Sequence, residues 1–389
     1  MSNRKHLYQK TNMKNISHIL LAALLAPLSA LAQAASPETT SSGSAIKLES
    51  PREESVNQFG ASFRMMFNVS VDFKNLGGFT AQGHTVPGQD VQQTSPGNND
   101  GSNTNRTYDD GYNWVDSTGN NHVPGFPDTT WFWEYDNNDP SQRPGNGTIV
   151  MHSSTSAATA ESNGREDEPE LGFEISYRRQ ILRNDSWNWG VEVAFGHQSI
   201  YVGDAQAVSG IASQIIDTFT IPTGVGDPPK QPGVDGSFST AGPLLGSLPS
   251  RTNGFGSTTI NGSRNFEADI FGFRVGPYLE IALCKKMAVS LSGGLSLAYV
   301  ASDFSFSPET VMFQGVSHVN PGGSGSHEDW VVGGYVAANL LYKINQSWGL
   351  FCGVQLQAAG TYSHTVGGKR ADLDLGQAVY LSIGAAYSF

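Results

Sequence analysis

Gln58-Phe59-Gly60-Ala61-Ser62-Phe63-Arg64-Met65-Met66-Phe67-Asn68-Val69-Ser70-Val71-Asp72-Phe73-Lys74 alternates between apolar and small or polar residues, with Met66 the one exception. Alternation with a period of two marks a β-strand with two unlike faces. A run of about 16 residues is far longer than the usual 5–6 residues of a soluble strand. It suits a tilted strand crossing a bilayer, which needs about 9–11 residues in the hydrocarbon and more outside it. On this reading Phe59, Ala61, Phe63, Met65, Phe67, Val69, Val71 and Phe73 face lipid, and Arg64 and Asp72 face the interior.

Seven further segments repeat the pattern. They are centred on Leu171–Arg178, Trp187–Gly196, Phe271–Leu283, Met287–Tyr299, Asp329–Lys343, Trp348–Tyr362 and Leu375–Phe389. Their connections alternate in length. Three are short and polar, around Arg183-Asn184-Asp185, Cys284-Lys285-Lys286 and Ile344-Asn345-Gln346-Ser347; four are long, near 75–169, 203–264, 305–328 and 363–373. Short turns on one side and long loops on the other are the habit of transmembrane barrels. Aromatic side chains add a third signal. Tyr177, Trp187, Trp189, Trp348 and Tyr387 fall near the short-turn end of the apolar face, and Phe195, Tyr299 and Trp330 near the long-loop end, as do Phe73 and Tyr362. Two aromatic girdles around an aliphatic band are what two membrane–water interfaces select. A soluble β-sandwich would explain the alternation, but not the strand length, the girdles or the loop asymmetry. Backbone in hydrocarbon must satisfy every N–H and C=O internally, so such strands close into a ring. The expected fold is therefore all-β, an antiparallel up-and-down transmembrane barrel of eight strands over 58–389. Ten strands would require 130–153 to cross the membrane, and the charged, Asn-rich composition there argues against it.

The chain begins with Arg4, Lys5, Lys10 and Lys14, then an apolar stretch from Ile16 to Leu31 and small residues up to Ala34. This reads as a cleaved secretory signal peptide over 1–34, with a periplasmic segment at 35–57. The 389 residues include 45 Gly, 40 aromatics and only 15% charged side chains, with a formal net charge of −12. So many aromatics exclude a disordered chain. The acidic balance excludes nucleic acid as a partner, which needs clustered Lys and Arg. Two Cys leave no thiolate zinc site and no disulfide scaffold. Cys284 and Cys352 fall about two strands apart, too far for ready pairing.

The C-terminal strand, Leu381-Ser382-Ile383-Gly384-Ala385-Ala386-Tyr387-Ser388-Phe389, ends in Phe with apolar residues at every second position back. With the alternation and the signal peptide, the chain resembles the Gram-negative outer-membrane β-barrels of the eight-stranded type, such as the membrane domain of outer membrane protein A and its small relatives. The resemblance implies location in the outer membrane, lipid as the surrounding partner, and Tyr387 and Phe389 as a signal read by the outer-membrane assembly machinery. The first two loops are much longer than in the small relatives.

The inward face carries Arg64, Asp72, Glu174, Arg178, Glu192, Arg274 and Glu280, with both signs near balance. Arg178 and Glu192 sit five and six residues from the first short turn on adjacent strands and should face one another. Charges so placed are tolerable only when paired, so the lumen is expected to be plugged by ion pairs. The first loop holds Trp131, Trp133 and Tyr135 beside acids and amides, a composition suited to a surface glycan or protein ligand. The blander expectation is that these aromatics fold the loop on itself, as a hairpin with 147–153. Its Asp-rich turns, Asp116 to Asn121 and Asp136 to Asp139, contain no complete Ca²⁺ motif, so neither metal nor cofactor is expected. The second loop, with Pro228-Pro229 and many Gly and Ser, reads as mobile. His197-Gln198-Ser199 resembles the His-x-Ser stretch of lipid A deacylases, but Ile200 stands where those enzymes carry Asn, and no acid is evident. Three functions follow in order: a structural or cell-surface interaction protein without enzymatic activity, a narrow diffusion porin, and, remotely, a lipid-modifying enzyme.

Overall fold

The computed structural model describes residues 56–84, 95–101, 104–115, 128–136, 140–165, 169–184, 186–223, 244–314 and 316–389. The stretch 1–34, read above as a signal peptide, and almost all of 35–57, read as a periplasmic segment, lie outside these residues. Eight strands form one closed antiparallel ring: β1 (Asn57–Phe67), β2 (Glu170–Arg183), β3 (Trp187–Asp204), β4 (Arg264–Ala282), β5 (Met287–Phe306), β6 (Gly323–Lys343), β7 (Trp348–Ala359) and β8 (Ala378–Ser388). Each pairs with its sequence neighbours, and β1 closes the ring against β8 in the register Phe59↔Tyr387, Ala61↔Ala385, Phe63↔Ile383. On the other side Phe63 meets Phe173 of β2. No ninth or tenth strand enters the ring. Residues 133–135 and 148–156 lie in separate sheets.

The outer surface of the lower ring is a continuous apolar band. Phe63 is 77% exposed, Leu171 71%, Leu295 68% and Val332 67%. Such a belt around a closed cylinder is stable only in lipid. Two equally exposed phenylalanines separate lipid from water. Phe63 lies between the girdles, whereas Phe255, 78% exposed, lies on Ser250–Asn261 outside the ring. Phe63→Arg is expected to cost about 2–4 kcal/mol in denaturant titrations of the lipid-inserted protein, and Phe255→Arg within about 0.5 kcal/mol of nothing.

The interior changes character along the strands. On β3, β4 and β5 the inward side chains run from polar near the short turns (Glu192, Arg274, Ser290, Ser292, Ser296) to apolar further up (Ile200, Val202, Phe266, Ile270, Val300, Phe304). The outward face changes in the opposite sense, from Val191, Val275 and Leu291 to Ser199, Asp269 and Asp303. The exchange occurs at the paired row His197–Phe271–Tyr299–Trp330. Below this row the surroundings are oil and the inside is polar; above it the surroundings are water and the inside is oil.

Two chain breaks serve this exchange. Asn68 adopts φ 64° and, with Val69, separates β1 from a second strand, Ser70–Leu76. The break swaps the faces, so Val71 and Phe73 point inward and are fully buried. Asp72, expected in the lumen, instead points outward and accepts a hydrogen bond from Asn163. Gly360 makes a like break after β7, and Tyr362, expected on the lipid face, is buried. Leu375, expected to open the last strand on that face, is likewise in the core.

Above the exchange row the ring divides into two walls. Pairing of β6 with β7 stops at Gly333↔Ala359, and pairing of β3 with β2 stops at Gln198↔Gly172. One wall is a four-stranded sheet in the order Thr361–Val366, Lys369–Asp374, Ser70–Leu76, Ala160–Arg165. The other is the upper part of β3–β6. Between them lies the main apolar core, where the rings of Phe73 and Phe304 stack at 5.8 Å across the gap. A five-stranded sheet follows, in the order Val316–Asn320, Glu309–Phe313, Ser250–Asn261, Val208–Thr220, Thr148–Ser156. The second loop, read as mobile, is thus largely paired strand in its described parts, while 224–243 lie outside the described residues. Thr148–Ser156 pairs with Val208–Thr220, not with the aromatic segment; Trp133–Tyr135 pairs with Gly111–Asn113. The expected hairpin with 147–153 does not form, because a longer partner from the second loop occupies that edge.

Candidate functional site

Five of the seven side chains expected in the lumen meet in one cluster. Glu174 on β2 accepts from Arg64 Nη1 at 2.7 Å and from Arg274 Nε and Nη2 at 2.9 and 2.5 Å. Glu192 on β3 takes Arg178 Nε at 2.5 Å and lies 2.7 Å from Arg274 Nη1. The register sets Glu192 directly opposite Arg178. Three guanidiniums thus share two carboxylates. Each guanidinium also lies over a tyrosine ring: Arg64 on Tyr380 at 4.0 Å, Arg274 on Tyr335 at 4.8 Å, Arg178 on Tyr278 at 5.3 Å. These contacts spread the surplus positive charge over π faces. The tyrosines were visible in the sequence only as aromatic exceptions on the polar side of the alternation. Glu280 stands apart near the short turns, 3.8 Å from the exposed Lys343. The cavity bordered by the cluster is about 20 Å³, space for roughly one water.

The apolar core forms a second seal above this one. Phe266, Val300, Phe304, Val71, Phe73 and Leu373 are fully buried there. The long loops add a third layer. Tyr108, Trp133, Tyr135, Ile149, Met151, Phe219 and Leu245 pack as one cluster, and Tyr112, Trp114 and Phe132 as another. Trp133 and Tyr135 are therefore core residues of the cap and present no face to a ligand; of the three aromatics expected to bind, only Trp131 keeps partial exposure. Deep in the cap, Arg251 grips Asp217 with two hydrogen bonds of 2.7 and 2.6 Å and the carbonyls of Pro96 and Gly97. Tyr108 donates to the same carboxylate at 2.5 Å, and its phenol pKa is pushed far up by burial and by the Asp217 charge. This knot ties the first loop to the second.

The girdle residues Tyr177, Trp187, Trp189, Trp348 and Tyr387 stand outward at the short-turn end, with the Trp348 and Tyr387 rings 5.0 Å apart. Phe195, Tyr299 and Trp330 stand outward at the other, where Tyr299 and Trp330 are also 5.0 Å apart. Just above this upper girdle, Asp269 faces Ser199 across β3 and β4. It is the acid that the sequence did not reveal beside His197. Ser199 Oγ donates to Asp269 Oδ1 at 2.6 Å, and His197 Nε2 lies 3.1 Å from the same oxygen. Only strand register, not spacing, brings these residues together. Among the described residues no group of His, Cys, Asp and Glu could hold a metal ion. The Asp116–Asn121 turn, and all but Asp136 of the other, lie outside them. Cys284 and Cys352 are free and exposed.

No protein-family model and no curated protein sequence matches the chain. Solved structures similar to it include Ail, the attachment invasion locus protein of Yersinia pestis, in complex with the heparin analogue sucrose octasulfate, at 11% identity and TM-score 0.25, covering 86% of this chain and 99% of that one. The outer membrane protease OmpT from Escherichia coli is similar at 8% identity and TM-score 0.30, covering 86% and 96%. The outer membrane protein OprG from Pseudomonas aeruginosa is similar at 8% and 0.27, covering 86% and 97%. At such values none of them speaks to what this chain binds or does.

Proposed function

We propose that this outer-membrane β-barrel acts at the cell surface through its extracellular β-structure, as a structural or interaction protein, and passes nothing through its interior. One observation carries the reading: the interior is sealed twice, by the Arg64–Glu174–Arg274–Glu192–Arg178 cluster and by the apolar core above it. An ion entering from either side would meet a paired, desolvated charge cluster or a dry core, both costly to cross. The folded extracellular sheets would supply a rigid platform for a surface glycan or protein ligand. The Tyr387–Phe389 end of β8 would serve the assembly machinery. In planar bilayers the mature chain is expected to give no steady conductance steps. Reproducible steps from the unmodified protein would overturn the reading in favour of the narrow porin.

The lipid-modifying alternative gains an acid in Asp269 but lacks an activated nucleophile. Ser199 donates its proton to the carboxylate rather than to His197. A serine hydroxyl is activated by a general base of imidazole strength, and His197 is turned to the Asp269 carboxylate instead of to Ser199 Oγ.

A further inference from the structure

The two places where the upper ring parts are held by different chemistry. At the β2–β3 side, Arg264 is fully buried; it donates to Ser162 Oγ at 2.9 Å, to the carbonyls of Gln206 and Gly262, and lies 3.3 Å from Asp204. A guanidinium stays charged at any pH the cell meets. At the β6–β7 side no strand pairing joins Gly323–Val332 to Thr361–Val366. The two edges touch closely: a Cβ at Gly325 would stand 2.9 Å from Val366 Cγ2. They are stitched by side chains. Tyr362 Oη donates to the His327 carbonyl at 2.8 Å, Ser302 Oγ lies 2.8 Å from Tyr362 Oη, and His364 Nδ1 lies 2.8 Å from Ser302 Oγ.

Proton counting fixes the direction of this chain. The three contacts of 2.8 Å share two hydroxyl protons, so all three are hydrogen bonds only if His364 Nδ1 carries a hydrogen; Ser302 Oγ also approaches the His327 carbonyl, at a longer 3.4 Å. The order is then His364 Nδ1–H to Ser302, Ser302 to Tyr362, Tyr362 to the carbonyl. A second proton on His364 would go to Nε2. The imidazole is only 2% exposed, with Phe304 beside it at 5.9 Å and the His327 ring at 5.6 Å. Burial and His327 hold its pKa below the ordinary imidazole value, with Asp303 acting the other way. The charged groups around it are few. On β5 there is Asp303. On β6, Glu328 and Asp329 follow His327. On its partner strand Lys369 is paired with Glu309 at 2.6 Å, and Arg370 with Asp372 at 2.5 Å.

We propose that this seam is an acid-operated opening: on acidification His364 takes up a second proton beside a split that no strand pairing holds, and the extracellular end of the molecule parts there. The sign follows from linkage. An opened seam lets His364 bind a proton that the closed seam refuses, so closure weakens as pH falls below the ordinary imidazole value, about 6.5. The Arg264 seam has no such dependence and acts as the hinge side. Opening would expose Phe304, Phe306 and Tyr362 of the apolar core to the outer surface just above the lipid, and thereby change what the platform presents.

Hydrogen exchange on the full-length mature protein in detergent or lipid, at pH 7.5 and pH 5 and corrected for intrinsic rates, tests this. Gly323–Val332 and Thr361–Val366 are expected to exchange several-fold faster at pH 5 than at pH 7.5, because closure depresses the imidazole. Ile200–Asp204 and Ala160–Arg165, at the other seam, should not change. The rise should vanish in His364→Gln and shrink in His327→Gln, whose side chain is exposed and tolerant of change. It should also vanish when Gly325→Cys and Val366→Cys are oxidised to a disulfide in a Cys284→Ser, Cys352→Ser background. A second buried imidazole, His318, stacks on Phe79 at 3.9 Å with neither ring nitrogen hydrogen-bonded. Its replacement, His318→Phe, should leave the seam response intact. No rise, an equal rise at both seams, a rise that survives both His364→Gln and His327→Gln, or its loss in His318→Phe would each overturn the proposal.

Discussion

Glu174→Ala is expected to lower the stability of the inserted barrel by about 3–5 kcal/mol, the range for removing one partner from a buried charge pair. The carboxylate accepts three hydrogen bonds from two guanidiniums, and Arg64, Glu174 and Arg274 are all almost entirely buried. Its loss leaves Arg64 with no carboxylate and Arg274 with only Glu192. The cost is mainly that of the uncompensated charge, not the lost attraction. A urea titration following the heat-modifiable band of the folded barrel would measure it; a loss under about 1 kcal/mol would mean that water already reaches the cluster. The substitution is not expected to create a channel, because the apolar core above it stays closed. That separates a plug made of two layers from one made of the ion pairs alone.

Phe304→Ala should cost about 3–5 kcal/mol by leaving a cavity in the upper core. Phe304 is fully buried, stacks on Phe73 of the opposite wall and tilts against Phe306 at 5.5 Å. The damage should be local. Below Gly333↔Ala359 the ring is closed by its own strand pairing and needs nothing from the two walls. Limited proteolysis of intact cells should therefore cut the long loops faster, while the band shift of the barrel persists. Loss of both together would show that the upper walls and the ring unfold as one unit.

The alternation, the short turns and the aromatic girdles were enough to give eight strands, their order and the closed ring, because lipid imposes one rule on every segment that crosses it. The Arg178–Glu192 pair was legible from its distance to a tight turn, although it is a one-residue shift in register at Trp189/Gly190 that sets the two directly opposite. Alternation, however, says only that a strand has two unlike faces. Which face is inside depends on the medium, and the medium changes partway along these strands from hydrocarbon to water. Phe59 and Phe73 look alike in the chain, yet one meets lipid and the other the core, because Asn68 and Val69 swap the faces between them. Asp72 left the lumen at the same step. Trp133 and Tyr135 looked available to a ligand because their covering partners, Ile149, Phe219 and Leu245, come from distant parts of the first and second loops. Asp269 meets Ser199, and His364 meets His327, only through strand register and the closure of the walls. Lipid on the outside could be read from one strand at a time; the dry interior above it exists only where a wall built from both ends of the chain meets a wall built from its middle.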